Sequence, residues 1–293
     1  MRIIRTVSAL REALGRARSG GAASVGFVPT MGALHEGHLS LMRAAREEND
    51  LVVVSIFVNP KQFEEAADLA AYPRQERHDA ELAASAGVDL IFAPDADELY
   101  PAGFATTVSV SGTIAETLEG AARGTGHFDG VATVVAKLLI AVMPENAYFG
   151  RKDAQQLVVV RRMVADLGLP VRIVGCPTER EPDGLALSSR NVRLDGEARA
   201  RAAAIPRALA LAESLVADGE RSADVVGRAV AETLAESGVE PEYIALVDPV
   251  GFETVENIDQ PVLCAVAARV GGVRLIDNTT LSVGGTTARG AGE

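Results

Sequence analysis

The sequence predicts an α/β fold: a parallel sheet with helices on both faces, joined to a smaller C-terminal α+β domain. Three observations predict it. Through the first 177 residues, strand-length apolar runs alternate with segments of helical period, the order that builds parallel sheets. The strongest run, LVVVSIFV at 51–58, is continuous rather than alternating, as a strand covered on both faces requires. After residue 177 the order changes to two Ala-rich helical segments followed by short strands. We therefore expect two domains, 1–177 and 178–293.

The elements follow in order. SVGFVP (24–29) reads as a short strand. In 38–49 the apolar residues Leu39, Leu41, Met42 and Ala45 fall close to helical spacing. Leu51–Val58 is the buried strand, 75–86 a helix, Val88–Phe92 a strand and 129–142 a helix. Ala147–Phe149 is a short strand, and 153–167 an amphipathic helix stopped by Gly168 and Pro170. Val171–Gly175 is the last strand of this half. Beyond it, 195–217 and 222–237 read as helices, and Pro241–Val247, Val262–Ala268 and Arg274–Asp277 as strands. The tail VGGTTARGAGE reads as frayed.

Composition narrows the function classes. The chain has 293 residues, 28 basic against 40 acidic, and a formal charge of −12. Its 48% apolar content excludes global disorder. No apolar run approaches the roughly 20 residues of a bilayer span. The N-terminal stretch MRIIRTVSALREALGR is charged throughout and has no signal-peptide core, so we expect a cytoplasmic protein without membrane partners. An acidic chain with no Lys/Arg block is a poor fit to nucleic acid. Cys176 and Cys264 are too few for a disulfide scaffold or a zinc cage. The charge is uneven: residues 1–177 hold 17 basic and 21 acidic groups, leaving −4, and the rest hold 11 and 19, leaving −8. Only three lysines (Lys61, Lys137, Lys152) and four histidines (His35, His38, His78, His127) occur.

Most of these rare residues sit in unusual local sequences. PTMGALHEGH (29–38) follows a predicted strand and opens a predicted helix. Helix N-termini offer unpaired N–H groups to phosphate, and His35 and His38, three apart, can face one bound group. Imidazoles there can donate hydrogen bonds as pyrophosphate leaves. FVNPKQF (57–63) ends the strongest strand on the same sheet edge. Its Gln62 can donate and accept at once, which suits a ligand with hydroxyl and carboxylate groups. Taken alone it is an ordinary turn. FGRKDAQQ (149–156) is a third strand-to-helix passage. Lys152 can reach a phosphate there. Asp153 reads as a helix cap, a ribose contact or a group that orients Lys152, and the pair Gln155–Gln156 reads as not needed for packing. DGLALSSRN (183–191) offers Ser188, Ser189 and Arg190 as a phosphate clamp, or is simply a linker. RGTGHFDG (123–130) fails the spacing of a Gly-rich phosphate loop. Its His127 either contacts substrate or caps the helix expected from Asp129.

Together, in this order, PTMGALHEGH, SIFVNPKQF, YPR (72–74), FGRKDAQQ and LSSRN resemble the pantothenate synthetase (pantoate–β-alanine ligase) family. That family lies within the HxGH adenylate-forming nucleotidyltransferases, which have Rossmann-like sheets. The match runs from about Thr30 to Asn191, with a weaker echo in YIALVDP and RLIDNT. The resemblance implies ATP-dependent condensation of (R)-pantoate with β-alanine to pantothenate, AMP and pyrophosphate, through a pantoyl adenylate. It implies a C-terminal lid domain, a homodimer, and Mg²⁺ with the triphosphate. The residues it implies for ATP are Met31, Gly32, Ala33, Leu34, His35, Glu36, Gly37 and His38, then Gly150, Arg151, Lys152 and Asp153. Glu179, Leu187, Ser188, Ser189 and Arg190 complete them. His38, His35, Lys152 and Arg190 are the implied catalytic groups, with His38 as proton donor. Gln62 and Gln156 are implied for pantoate, Gln62 also for β-alanine, and Asp79 for the metal.

Three positions depart from the family pattern. Leu187 stands where Met is common. His78 replaces an acidic residue beside Asp79. Arg123–His127 has one residue more than the usual Arg-Pro-x-His. Two further readings fit the motifs: another HxGH nucleotidyltransferase, which would need extra basic residues in place of the glutamine pair, and a silent ATP-binding protein, which would have lost His38, Lys152 or Arg190.

Overall fold

The structure is a computed structural model and describes residues 1–63 and 66–283. The tail expected to fray lies almost wholly outside the described residues. The chain divides into two compact units, Met1–Glu179 and Arg180–Glu293.

The first unit is a six-stranded sheet. Its strands are β1 (Arg2–Ile4), β2 (Val25–Thr30), β3 (Leu51–Ile56), β4 (Leu90–Phe92), β5 (Asn146–Gly150) and β6 (Arg172–Cys176). All pairings are parallel and the spatial order is β1-β4-β3-β2-β5-β6. Alternate residues feed two cores. Val25, Phe27, Val53 and Phe149 face the helices Val7–Ser19, Thr125–Val142 and Ala154–Asp166. Val28, Val52, Val54 and Tyr148 face the helices Glu36–Glu48 and Glu76–Ser85. That two-sided cover explains why β3 reads as an apolar run broken only by the buried Ser55.

Order is what places the site. The direction of chain travel reverses at β2, which has β3 on one side and β5 on the other. Open α/β sheets bind ligands outside the carboxyl ends of the strands at such a switch point. The loops after β2 and β5 flank it, and the turn after β3 lies next to it.

The second unit holds β7 (Pro241–Val247), β8 (Val262–Val270) and β9 (Val273–Leu281), an antiparallel sheet in that order. Helices Ala204–Ala217 and Ala223–Glu236 pack on it through Ile205, Leu209, Val226, Val230 and Leu234. Both cysteines are free and buried. Among the described residues no helix is long and apolar enough to cross a membrane.

The structure differs from the sequence expectations in several places. The helix expected over 195–217 is two, Gly196–Ala202 and Ala204–Ala217. Pro206 has no N–H to give the carbonyl of Ala202, so the ladder is interrupted there. The first 20 residues, read only for their charge, supply the edge strand β1 and the helix Val7–Ser19, capped by the Thr6 hydroxyl on the Ala9 N–H. The helix expected from 129 begins at Thr125. Short helices at Ala96–Leu99, Thr113–Glu116 and Leu118–Arg123 carry too few residues to show a period.

Candidate active site

The loop after β2 turns sharply. Gly32 and Ala33 are both left-handed, at φ +82° and +51°. The loop delivers His35 to the N-cap of the helix Glu36–Glu48. There the two histidines form a capping box of their own. His35 Nδ1 accepts from the Gly37 N–H at 3.2 Å, and His38 Nδ1 accepts from the His35 N–H at 3.4 Å. The rings lie 4.1 Å apart, centroid to centroid. Each Nδ1 is therefore an acceptor, so a neutral ring carries its proton on Nε2.

The environment keeps these rings neutral. Burial, then His35 and Lys152, pushes His38 down to about 3. His35 is also lowered, by burial and then Lys152. The Lys152 ammonium, in the short 3₁₀ turn Arg151–Asp153 after β5, thus adds its positive field to burial at both imidazoles. Asp153 occupies the N-cap of the helix Ala154–Asp166 but makes no capping hydrogen bond. The capping alternative for Asp153 is not realised, and its exposed carboxylate is felt instead by His35 and His127.

On the other side, the turn after β3 is organised by Asn59, fully buried. Its Oδ1 accepts from Tyr100 Oη at 2.8 Å and from the Lys61 N–H at 3.3 Å. Its Nδ2 donates to the Gly130 carbonyl and to Gln62 Oε1, both at 3.0 Å. This occupies the Gln62 oxygen on the protein side and leaves its NH₂ as the group to offer a ligand. His127 hydrogen-bonds the Gln62 backbone and is pushed down to about 4, chiefly by burial and then by Arg123. His127 is in the first turn of its helix, not a cap for Asp129. Gly130 is needed here: a Cβ would lie 2.3 Å from the Lys61 carbonyl oxygen.

Two expectations change. Gln155 and Gln156 are not equivalent. Gln155 is buried and braces the segment 114–119: its Nε2 donates to the carbonyls of Ile114 and Thr117, and its Oε1 accepts from the Glu119 N–H. The reading that this pair is not needed for packing fails for Gln155. Gln156, one residue on, is partly exposed. Asp79 is buried, and its two carboxylate oxygens accept from the N–H groups of Ala33 and Leu34 at 3.0 and 2.8 Å. Among the described residues no group of three His, Cys, Asp or Glu stands ready to hold a metal ion.

The remaining residues fall as follows. Met31, Gly32, Ala33, Leu34, Glu36 and Gly37 share the loop and first turn with the histidines, and Glu36 is an exposed ion-pair partner of Arg43. Gly150 ends β5, and Arg151 Nε donates to the Gly175 carbonyl at 2.9 Å. Glu179 follows β6 and is felt by Arg43. Leu187, Ser188, Ser189 and Arg190 belong to the second unit. Their turn is tied by Asn191 Nδ2 to the Ala186 carbonyl and to Glu181, which Arg199 joins to Asp183. Asn59 and Tyr100 are the organising residues that sequence reasoning missed. Asn59 lay in plain view inside FVNPKQF, whereas nothing in the sequence paired it with Tyr100.

Comparison with known proteins decides the family. The pantoate-beta-alanine ligase family model matches residues 2–280. The chain belongs to the pantoate–β-alanine ligase family. A pantothenate synthetase of Moorella thermoacetica is 52% identical over 97% of this chain and 99% of its own. One from a Chelativorans species is 53% identical over 94% and 96%. The crystal structure of pantothenate synthetase from Thermus thermophilus superposes with a TM-score of 0.89 at 49% identity, covering 96% of this chain and all of that one. A Francisella tularensis pantoate-beta-alanine ligase, solved with beta-gamma ATP and beta-alanine, gives 0.75 at 35% identity over 95% and 97%. This ligase therefore joins pantoate to β-alanine, and its sheet and small C-terminal unit are those of pantothenate synthetases.

Proposed function

We propose that the ligase works in two steps at the β2/β5 switch point. The pantoate carboxylate attacks the α-phosphorus of ATP, giving pantoyl adenylate and pyrophosphate. The β-alanine amine then attacks the acyl carbon, giving pantothenate and AMP. The observation that carries this reading is the histidine pair locked as Nε2–H donors beside Lys152.

The first step brings an anion toward a polyanion. Neutral Nε2–H groups and the Lys152 ammonium offset that repulsion and the charge that grows on the leaving pyrophosphate. With His38 pushed down to about 3, it acts in the free enzyme as a hydrogen-bond donor rather than as a charged acid. Met31–His38, Gly150–Asp153 and Glu179 are the ATP contacts in this reading, and Leu187, Ser188, Ser189 and Arg190 are assigned to ATP by the family resemblance alone. Gln62 and Gln156 hold pantoate through their amides, and Gln62 also meets β-alanine. Mg²⁺ would arrive with the triphosphate and offset its charge; Asp79, buried and with both carboxylate oxygens turned to the Ala33 and Leu34 N–H groups, would anchor the loop rather than hold the ion. The working form is a cytoplasmic homodimer, as the family resemblance implies.

The test is exchange of labelled pyrophosphate into ATP. It should require pantoate and proceed without β-alanine. Exchange that needs β-alanine would sink the adenylate route.

A further inference from the structure

We propose that Asp79 is a positioning residue that acts through the loop Gly32–Leu34 to set the two histidines, and that it does not ligate the metal. This rests on the reading of His35 and His38 as the donors to ATP.

Gly32 and Ala33 are consecutive left-handed residues at φ +82° and +51°. A left-handed alanine persists only where its surroundings over-determine it. Asp79 supplies that constraint from the helix Glu76–Ser85, with Oδ2 on the Ala33 N–H and Oδ1 on the Leu34 N–H. The near side of the loop is tied as well. Thr30 Oγ1 accepts from the Gly32 N–H at 3.2 Å and donates to the Ser55 carbonyl at 2.7 Å. Space allows no other residue at 32: a Cβ there would lie 2.9 Å from Asp79 Oδ2 and 3.1 Å from Ile56 Cγ2. The clamped turn buries Leu34 and presents the next residue, His35, as the helix N-cap. His38 depends on the same placement, because its Nδ1 accepts from the His35 N–H. Releasing the turn therefore releases both rings. The N–H groups of Ala33 and Leu34 face Asp79, so any ATP contact of these two residues is through other atoms than those amides.

The experiment compares Asp79→Asn with the wild type. Asn keeps the size but turns an NH₂ toward one of the two N–H groups. Pantoate-dependent ATP–pyrophosphate exchange at saturating Mg²⁺ should fall about 10-fold to 10²-fold, the scale set by an ångström-level misplacement. The Mg²⁺ concentration for half activity should stay within about twofold, since the metal contacts are untouched. Nitrogen-15 spectra of the histidines should show Nε2–H tautomers for His35 and His38 in the wild type and a mixture in the variant. Unchanged exchange would overturn the proposal, and so would a loss cured by raising Mg²⁺, which marks a ligand. If Asp79→Asn fails to fold, amide hydrogen exchange on the wild type decides. Ala33 and Leu34 should be strongly protected, and exchange at open-loop rates would overturn the anchor. A wild type without pantoate-dependent exchange would defeat the adenylate reading instead, so the two failures are distinguishable.

Discussion

Gly130→Ala should cripple pantoate use from a position that touches no substrate. Gly130 lies in the helix Thr125–Val142, against the turn after β3. An added Cβ would meet the Lys61 carbonyl oxygen at 2.3 Å, its carbon at 2.8 Å and Gln62 Cγ at 3.2 Å. Ordinary contact begins near 3.4 Å, so the turn must withdraw by about 1 Å. That movement strains the Asn59–Gly130 hydrogen bond and the His127 contact to the Gln62 backbone, which together aim the Gln62 amide. A displacement of about 1 Å costs about 10²-fold in rate, equivalent to about 2.7 kcal/mol. Overpacking of this kind also costs about 1–3 kcal/mol of stability. The assay is pantoate-dependent ATP–pyrophosphate exchange, with a thermal scan on the same sample. kcat/KM for pantoate should fall about 10²-fold while the KM for ATP changes little, because the histidine loop is untouched. A variant that folds with wild-type kcat/KM for pantoate would refute the reasoning.

Two further predictions follow from neighbouring groups. His38 and His127 titrate near 6.5 when unfolded but are pushed down to about 3 and about 4 in the fold. Between 6.5 and those values the unfolded chain binds protons that the folded one refuses, so stability is lost as pH falls. The slope is at most about 1.4 kcal/mol per pH unit for each histidine. Urea midpoints at pH 7, 6 and 5 should decline more steeply for the wild type than for His38→Gln, and equal slopes would contradict the neutral buried ring. Adjacent glutamines should separate cleanly. Gln155→Ala leaves two carbonyls and an N–H without their partner and should cost about 2–4 kcal/mol in chemical denaturation. Gln156→Ala should keep its stability and raise the KM for pantoate; the reverse pattern would exchange their roles.

The sheet was legible because both its faces are covered. Val52, Val53 and Val54 alternate between two helical layers, so every position in that run is apolar and the run is readable without a partner. The strand-to-helix passages after β2, β3 and β5 were legible for a related reason: a short apolar run followed by Gly, Asn or Asp before a new period marks a sheet edge. The roles of Asp79, Gln155 and Asn59 were not. Each is fixed by groups far away in sequence, nearly all backbone: Asp79 by 33 and 34, Gln155 by 114–119, and Asn59 by the Gly130 carbonyl and the Tyr100 hydroxyl. A polar residue that satisfies remote main chain looks, in sequence, like one that binds a ligand. The edge strand β1 was missed because three residues, of which only Ile4 is buried, carry no alternation to read.

The charge of the molecule also takes on a sharper meaning at the site. A chain of net −12 handles a nucleoside triphosphate and two carboxylates. A dense basic pocket would solve the repulsion, but it would hold product pyrophosphate as firmly as substrate, and catalysis gains only from interactions that strengthen toward the transition state. At the loop after β2 the site instead sets two imidazoles, held neutral chiefly by burial, in the field of Lys152. Neutral donors add no net charge to the ground state. In the proposed mechanism they would respond most where charge accumulates, on the bridging oxygen as the phosphorus bond breaks. In the proposed mechanism Lys152 would contribute twice, attracting phosphate and adding to burial in keeping both rings from protonating. Replacing it by a neutral residue would therefore let the His35 and His38 pKa values rise, and a weaker phosphate contact would come with altered donors as well.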